Sequence, residues 1–196
     1  MAETTTKELT REVDGHTVPA AGSWSVDQAH SAVEFVARHL MVTKVRGRFS
    51  DYDAAITIAD RPEDSKVNVT INAASIATGD AGRDGHLVSA DFLDVEHFPA
   101  ITFTSNAVRV SGSSTWDVDG DLTVHGVTKP VAMTVEFGGV ATDPWGNAKA
   151  FFTASTEFDR EDFGLTWNQP LAGGGVLVGK KVRVELEIQA TPVVTN

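Results

Sequence analysis

Along most of the chain, apolar and polar residues alternate with the period of two that marks half-buried β-strands. No stretch shows the spacing of a long amphipathic helix. Trp24 and Val26 open the pattern. After Asp27-Gln28, Val33, Phe35 and Ala37 alternate with Ala32, Glu34 and Arg38. His39-Leu40-Met41-Val42-Thr43 breaks the alternation and reads as a corner or a short helical turn. Val45, Gly47 and Phe49 then share one face and Lys44, Arg46 and Arg48 the other. Tyr52, Ala54, Ile56 and Ile58 resume after a change of parity at Ser50-Asp51, where a β-bulge is expected.

Further strands are expected at Val67, Val69 and Ile71, at Ile101, Phe103 and Ser105, and at Val131, Met133, Val135 and Phe137. Others are expected over 148–158 and, most regular of all, at Val182, Val184, Leu186 and Ile188. Asp119-Gly120 has the composition of a hairpin turn. Trp116, Val118, Leu122 and Val124 nevertheless keep one parity across it, so a single long strand kinked at Gly120 is the better reading. The segment His125-Gly126-Val127-Thr128-Lys129-Pro130 is the stronger turn. Asp159-Arg160-Glu161-Asp162 reads as a brief helical turn, and the glycine-rich 163–180, with Trp167 and Pro170, as a flap.

About eight or nine regularly spaced strands define an all-β protein, a sandwich or a closed antiparallel barrel with short helical turns. An eight-stranded barrel either fills its interior with side chains or holds one ligand. Because the inward positions here are Val, Ile, Leu, Phe and Met, a ligand inside has to be apolar. Strand parity selects Val33, Phe35, Phe103, Met133, Val135, Phe152 and Leu186 as lining candidates, each also explicable as ordinary core. Phe151 and Phe152 face oppositely, so one of the two points inward.

A chain of 196 residues fits one domain with a substantial core. Residues 1–22 include Glu3, Lys7, Glu8, Arg11, Glu12 and Asp14 without an apolar run, and are expected to be a flexible arm. The barrel domain is expected over 23–191, with 192–196 a tail. No basic end followed by an apolar run marks a secretory leader, which predicts a cytoplasmic protein. No stretch approaches the ~20 apolar residues of an integral membrane segment. A formal charge of −11 disfavours nucleic acid and anionic lipid head groups through long-range repulsion.

The absence of cysteine excludes disulfides and thiolate chemistry. Six histidines show no metal-ligand spacing, so neither a metal nor another cofactor is expected. Asp117-Val118-Asp119-Gly120-Asp121 has its glycine too early for a calcium loop. Asp162-Phe163-Gly164 and Gly173-Gly174-Gly175 lack the other elements that phosphoryl transfer or phosphate binding requires. A homodimer through an exposed strand edge is left open.

Charge, histidine and aromatic residues concentrate over Arg83–Pro99, between two strand segments, so a mouth or gate is expected there. Within it, Arg83-Asp84-x-His86 has two readings. Asp84 caps a short helix while Arg83 pairs with a nearby carboxylate. Alternatively, Arg83 and His86 sit at a cavity rim and donate hydrogen bonds to a carbonyl, amide or phosphate head group. Asp84 and His30 are taken with them as head-group candidates.

An ordered set of motifs resembles the YceI-like family. It comprises Trp24-Ser25-Val26-Asp27-x-x-His30-Ser31-x-x-x-Phe35-x-x-x-His39, Gly47-x-Phe49, Ser75-Ile76-x-Thr78-Gly79 and Arg83-Asp84-x-His86-Leu87-x-Ser89-x-Asp91-Phe92. Phe98-Pro99-x-Ile101-Thr102-Phe103, Gly120-Asp121-Leu122-Thr123-x-His125-Gly126-Val127-Thr128-Lys129-Pro130 and Arg160-x-Asp162-Phe163-Gly164 follow in order. The resemblance implies a lipocalin-like, extended antiparallel β-barrel around an elongated apolar pore. It also implies polyisoprenoid ligands such as isoprenoid quinones or prenyl phosphates, although other members hold fatty amides. Many relatives are exported to the periplasm, which the missing leader does not match. The expected function is therefore noncatalytic binding or transport of an isoprenoid lipid. The rivals are an enzyme that uses Arg83, Asp84 and His86 on a hydrophobic substrate, and a filled barrel serving as a stress or interaction protein.

Overall fold

The computed structural model describes residues 9–193. Thirteen strands and one helix follow in chain order. They are β1 (Thr10–Val13), β2 (His16–Pro19), β3 (Gly22–Val26), β4 (Ala32–His39), β5 (Thr43–Phe49), β6 (Tyr52–Ile58), β7 (Lys66–Asn72), β8 (Ile76–Ala77), α1 (Ala81–Val88), β9 (Ala100–Val110), β10 (Thr115–Val124), β11 (Val127–Thr142), β12 (Ala148–Asp159) and β13 (Val178–Pro192). The pairs β3/β4, β5/β6 and β7/β8 are halves of three bent strands. Each pairs in sequence with its neighbour, and β12–β13 and β13–β3/β4 pairings close the ring. The result is an up-and-down antiparallel barrel with eight strands in its closed ring.

The bends share one level of the barrel and are hydrogen-bonded to one another. Asn72 N–H donates to Asp51 O at 2.9 Å, its side-chain amide to Asp51 Oδ2 at 2.8 Å, and Ser50 N–H to Ser75 O at 3.3 Å. The parity change at Ser50-Asp51 is thus a full break between β5 and β6 rather than a one-residue bulge. The two halves face different partners, β4 and β8 on one side of the break and β3 and β7 on the other.

β10 runs unbroken through Asp119-Gly120, with its register against β9 shifting there. The shift lets the Phe103 ring lie over Gly120. A Cβ at this position would sit 2.4 Å from Phe103 Cζ and 2.5 Å from the Thr104 carbonyl oxygen. Because one of these atoms is backbone, Gly120→Ala is expected to cost about 3 kcal/mol, read as a lower urea midpoint at unchanged slope. The following turn is tighter than its sequence suggests. His125 and Gly126 both take left-handed φ values (51° and 72°), and β11 starts at Val127.

Residues 10–19 do not form the expected arm. They make a two-residue hairpin at Asp14-Gly15, both at positive φ. The physical reason lies in Leu9 and Val18, which are buried in the same cluster as Trp24, Phe103 and Trp116. The hairpin is strapped across one barrel end. The Arg11 guanidinium donates to the Ala59 and Asp60 carbonyls at 2.5 and 2.6 Å, and His16 Nδ1 lies 3.4 Å from Ser113 O. Residues 1–8 of the expected arm and 194–196 of the expected tail lie outside the described residues.

At the other end, β9 pairs with β7 only as far as Ala100↔Asn72, whereas β8 turns away to pair with β5. This leaves a slot in the wall, and α1 with its following loop to Pro99 covers it. Asp80 caps α1 by accepting from Arg83 N–H at 2.9 Å. A second buried cluster, with Ala73, Ile76, Leu93, Ile101, Val124, Phe163 and Leu165, packs this end.

Candidate functional site

The two clusters share Leu122 and Val131 at their margins and otherwise pack opposite ends of the barrel. Between them runs a cavity of about 320 Å³, within the range of small-molecule sites. Period-two alternation builds its wall: Val182, Val184, Leu186 and Ile188 of β13, Met133 and Val135 of β11, and Ala54, Ile56 and Ile58 of β6 all face in. Val18 and Pro19 of the hairpin reach it from one end, and Leu87, Phe92 and Leu93 of the α1 segment from the other. The cavity is therefore a tunnel running most of the barrel's length.

Val33, Phe35, Phe103, Met133, Val135, Phe152 and Leu186 all lie on this wall, with Phe152 rather than Phe151 turned inward. The four head-group candidates do not line it. Asp84 Oδ1 accepts from Thr78 N–H at 2.9 Å and from Thr78 Oγ1–H at 2.5 Å. Arg83 donates to the Thr78 hydroxyl at 2.6 Å and to its carbonyl at 3.0 Å. These bonds fix the entry to α1, and the cap itself is Asp80. His86 Nε2 lies 2.8 Å from Asp91 Oδ2, with its ring edge-on to Phe92 (5.0 Å) and Trp167 (4.6 Å). Because Phe92 is itself on the wall, this cluster marks the tunnel's α1 end, and Trp167 of the glycine-rich segment closes against it.

His30 sits elsewhere, in the turn between β3 and β4, with Nδ1 3.1 Å from Asp27 Oδ2. The same oxygen accepts from Lys149 Nζ at 2.8 Å and Gln189 Nε2 at 3.3 Å. The Lys149 hydrogen bond, helped by His30 and opposed by burial, holds the Asp27 carboxyl below its usual range. A depressed folded-state pKa means this stabilisation is complete above the unfolded value near 3.9 and is lost as pH falls through the folded value. The stability of Asp27→Asn, followed by urea unfolding from neutral pH to below that range, is therefore expected to fall less steeply with acid than that of the natural protein.

The sequence reading missed two polar residues on the wall. Among the described residues, three buried side-chain polar atoms lack a hydrogen-bond partner, and two of them, Tyr52 Oη and Arg160 Nη2, belong to wall residues. Arg160 is 3% exposed and forms no ion pair among the described residues. Its Nε donates to Gly179 O at 3.0 Å and its Nη1 to Leu165 O. Burial lowers its pKa, opposed by the charges of Glu161 and Asp159. Burial likewise holds the Tyr52 phenol above its usual range. Both are buried donors on residues of the apolar wall, the Tyr52 hydroxyl lying beside Ser31 and Asp27, and a buried donor left unpaired costs free energy unless an oxygen accepts from it. Tyr52 opens an inward-facing series that the parity already revealed. For Arg160 the only signal was its place in a recurring motif.

A closed up-and-down barrel with an apolar cavity along most of its length defines a binding-protein fold of the lipocalin-like kind. The chain belongs to the YceI-like family, whose domain model matches residues 24–190. It is 42% identical to a UPF0312 protein of Pseudomonas putida strain GB-1 over 148 residues, covering 74% of this chain and 77% of that one. The crystal structure of a Campylobacter jejuni YceI protein superposes with a TM-score of 0.68 at 30% identity, over 80% of this chain and 90% of that one. A polyisoprenoid binding domain from Saccharophagus degradans, implicated in plant cell wall breakdown, shares the fold at a TM-score of 0.67 and 16% identity, over 87% of this chain and 98% of that one. The hairpin at residues 10–19 precedes the matched segment.

Proposed function

We propose that the protein binds a long apolar lipid of the isoprenoid class inside the barrel and carries or sequesters it without catalysis. The observation that carries this reading is the continuous tunnel, walled by Val, Ile, Leu, Phe and Met from the α1 end to the hairpin. Each methylene transferred from water into such a wall is worth about 0.8 kcal/mol, so chain length dominates affinity. The name of the Saccharophagus domain supports the ligand class.

Val33, Phe35, Phe103, Met133, Val135, Phe152 and Leu186 serve as chain contacts. Arg160 and Tyr52 act as internal anchors, donating to a phosphate, carbonyl or hydroxyl oxygen of the ligand. His86, with Arg83 and Asp84 behind it, shapes the rim at the α1 end. Native mass spectrometry and organic extraction of freshly purified protein test this reading. One bound polyisoprenoid per chain is the expected result. Recovery of only empty protein from several expression hosts would overturn it.

A further inference from the structure

The β4–β5 turn is built against local preference. Leu40 and Met41 occupy the left-handed region, with φ of 52° and 61°. That conformation favours glycine and asparagine and is strained for a bulky residue. Burial does not compensate, since Leu40, Met41 and Val42 are 43%, 52% and 75% exposed. Beside this tip lies the loop Asn168–Leu177, which carries no charged residue and includes Gly173-Gly174-Gly175. Leu40 N–H donates to Leu177 O at 2.8 Å, and Met41 lies against Gly175. The two segments together form an apolar, uncharged projection at the α1 end of the barrel.

A basic band fringes this projection in an otherwise acidic protein. Arg38 and Lys44 face each other across the turn. With Arg46, Lys181 and Arg183 they line a shallow outer cleft whose only acids are Glu157 and Glu185. Glu185 is engaged by Arg46 and Arg183 at 3.0 Å, and Glu161 pairs with Lys180 at 2.6 Å. Asp159, opposite Lys181 in register, instead accepts from the N–H of Glu161. Among the described residues Arg38, Lys44 and Lys181 make no ion pair. The overall charge of −11 repels anionic surfaces at long range. Within a Debye length of about 8 Å, however, the local cations set the sign of the interaction.

We propose that the Leu40–Val42 tip and the Asn168–Leu177 loop dock on an anionic lipid bilayer. The apolar side chains enter the acyl boundary, and Arg38, Lys44 and Lys181 lie against the head groups. Exposed apolar residues with cations along one flank fit this partner better than a nucleic acid, which offers no apolar phase for the tip. Trp167, immediately before this loop, packs on His86 and Phe92 at the tunnel end, so docking turns that end toward the membrane.

Vesicle flotation of the full chain tests the proposal, with equimolar phosphatidylglycerol and phosphatidylcholine compared against phosphatidylcholine alone. The expected result is partitioning onto the anionic vesicles that weakens with added salt. Each cation near such a surface contributes about fivefold, so Lys44→Gln with Lys181→Gln should weaken partitioning on the order of 25-fold. Leu40→Asn with Met41→Gly supplies the residues the turn prefers. It should fold at least as stably as the natural chain while losing vesicle binding. Absence of binding, equal binding to both vesicles, or unchanged binding by the variants would overturn the proposal. So would a tip-dependent dimer in sedimentation without vesicle binding, which would assign the face to a second copy of this chain. Because no cargo is scored, failure here leaves the lipid-carrier reading standing.

Discussion

Ala154→Trp is expected to abolish lipid binding while leaving the fold intact. Ala154 lies on the tunnel wall, between Val135 and Leu186 in the register of β11, β12 and β13. An indole at this position enters the space a chain would occupy. Displacing four methylenes at about 0.8 kcal/mol each lowers affinity more than 100-fold. The accompanying change in stability is the sharper result. In an open tunnel the new ring meets vacant space, and the urea midpoint stays level or rises by about 1 kcal/mol equivalent. In a barrel already filled by side chains the same substitution overpacks the interior and costs about 1–3 kcal/mol. Titration with a long-chain prenyl alcohol, run beside urea unfolding, reads both quantities.

The second large effect is expected at Arg160. Arg160→Met keeps the apolar stem but leaves the Gly179 and Leu165 carbonyls without their donors. Each unsatisfied buried acceptor costs about 1–3 kcal/mol. Relief of the buried, unpaired cation offsets part of that loss. A net destabilisation of about 3 kcal/mol is expected, seen as a melting temperature lower by roughly 6–12 °C. Arg160→Lys should not restore stability, because a single ammonium cannot reproduce the two-directional fork. Affinity separates the anchoring role from the structural one. Ligands with an oxygen-bearing head should weaken about tenfold, as expected for one lost hydrogen bond to a charged donor, whereas a plain hydrocarbon should bind as before.

These expectations also show what the sequence makes legible. Period-two alternation located the barrel strands because one face meets an apolar tunnel and the other solvent. The same parity placed Leu186 and Met133 on the wall and chose a continuous β10 over a hairpin at Gly120. It could not tell a vacant lumen from a filled one, since both need the same inward Val, Ile and Phe. The hairpin at residues 10–19 was hidden by its charges, Arg11, Glu12 and Asp14, although Asp14-Gly15 is itself a strong turn signal. Only tertiary contact reveals that Leu9 and Val18 are buried. The polar cluster at Arg83, Asp84 and His86 drew attention by composition, yet Arg83 and Asp84 bind Thr78 and organise a helix entry. The buried donors are Arg160 and Tyr52, whose desolvation depends on neighbours distant in sequence.

Inward side chains surround vacant space fit for a lipid chain, and a crystal structure of the protein equilibrated with a long-chain polyprenol probes this at first hand. Continuous tubular density is expected from Leu87 and Phe92 to Val18 and Pro19, with the hydroxyl oxygen within hydrogen-bonding distance of Arg160 or Tyr52. Side chains in contact across the barrel axis, with no lipid density inside, would contradict it.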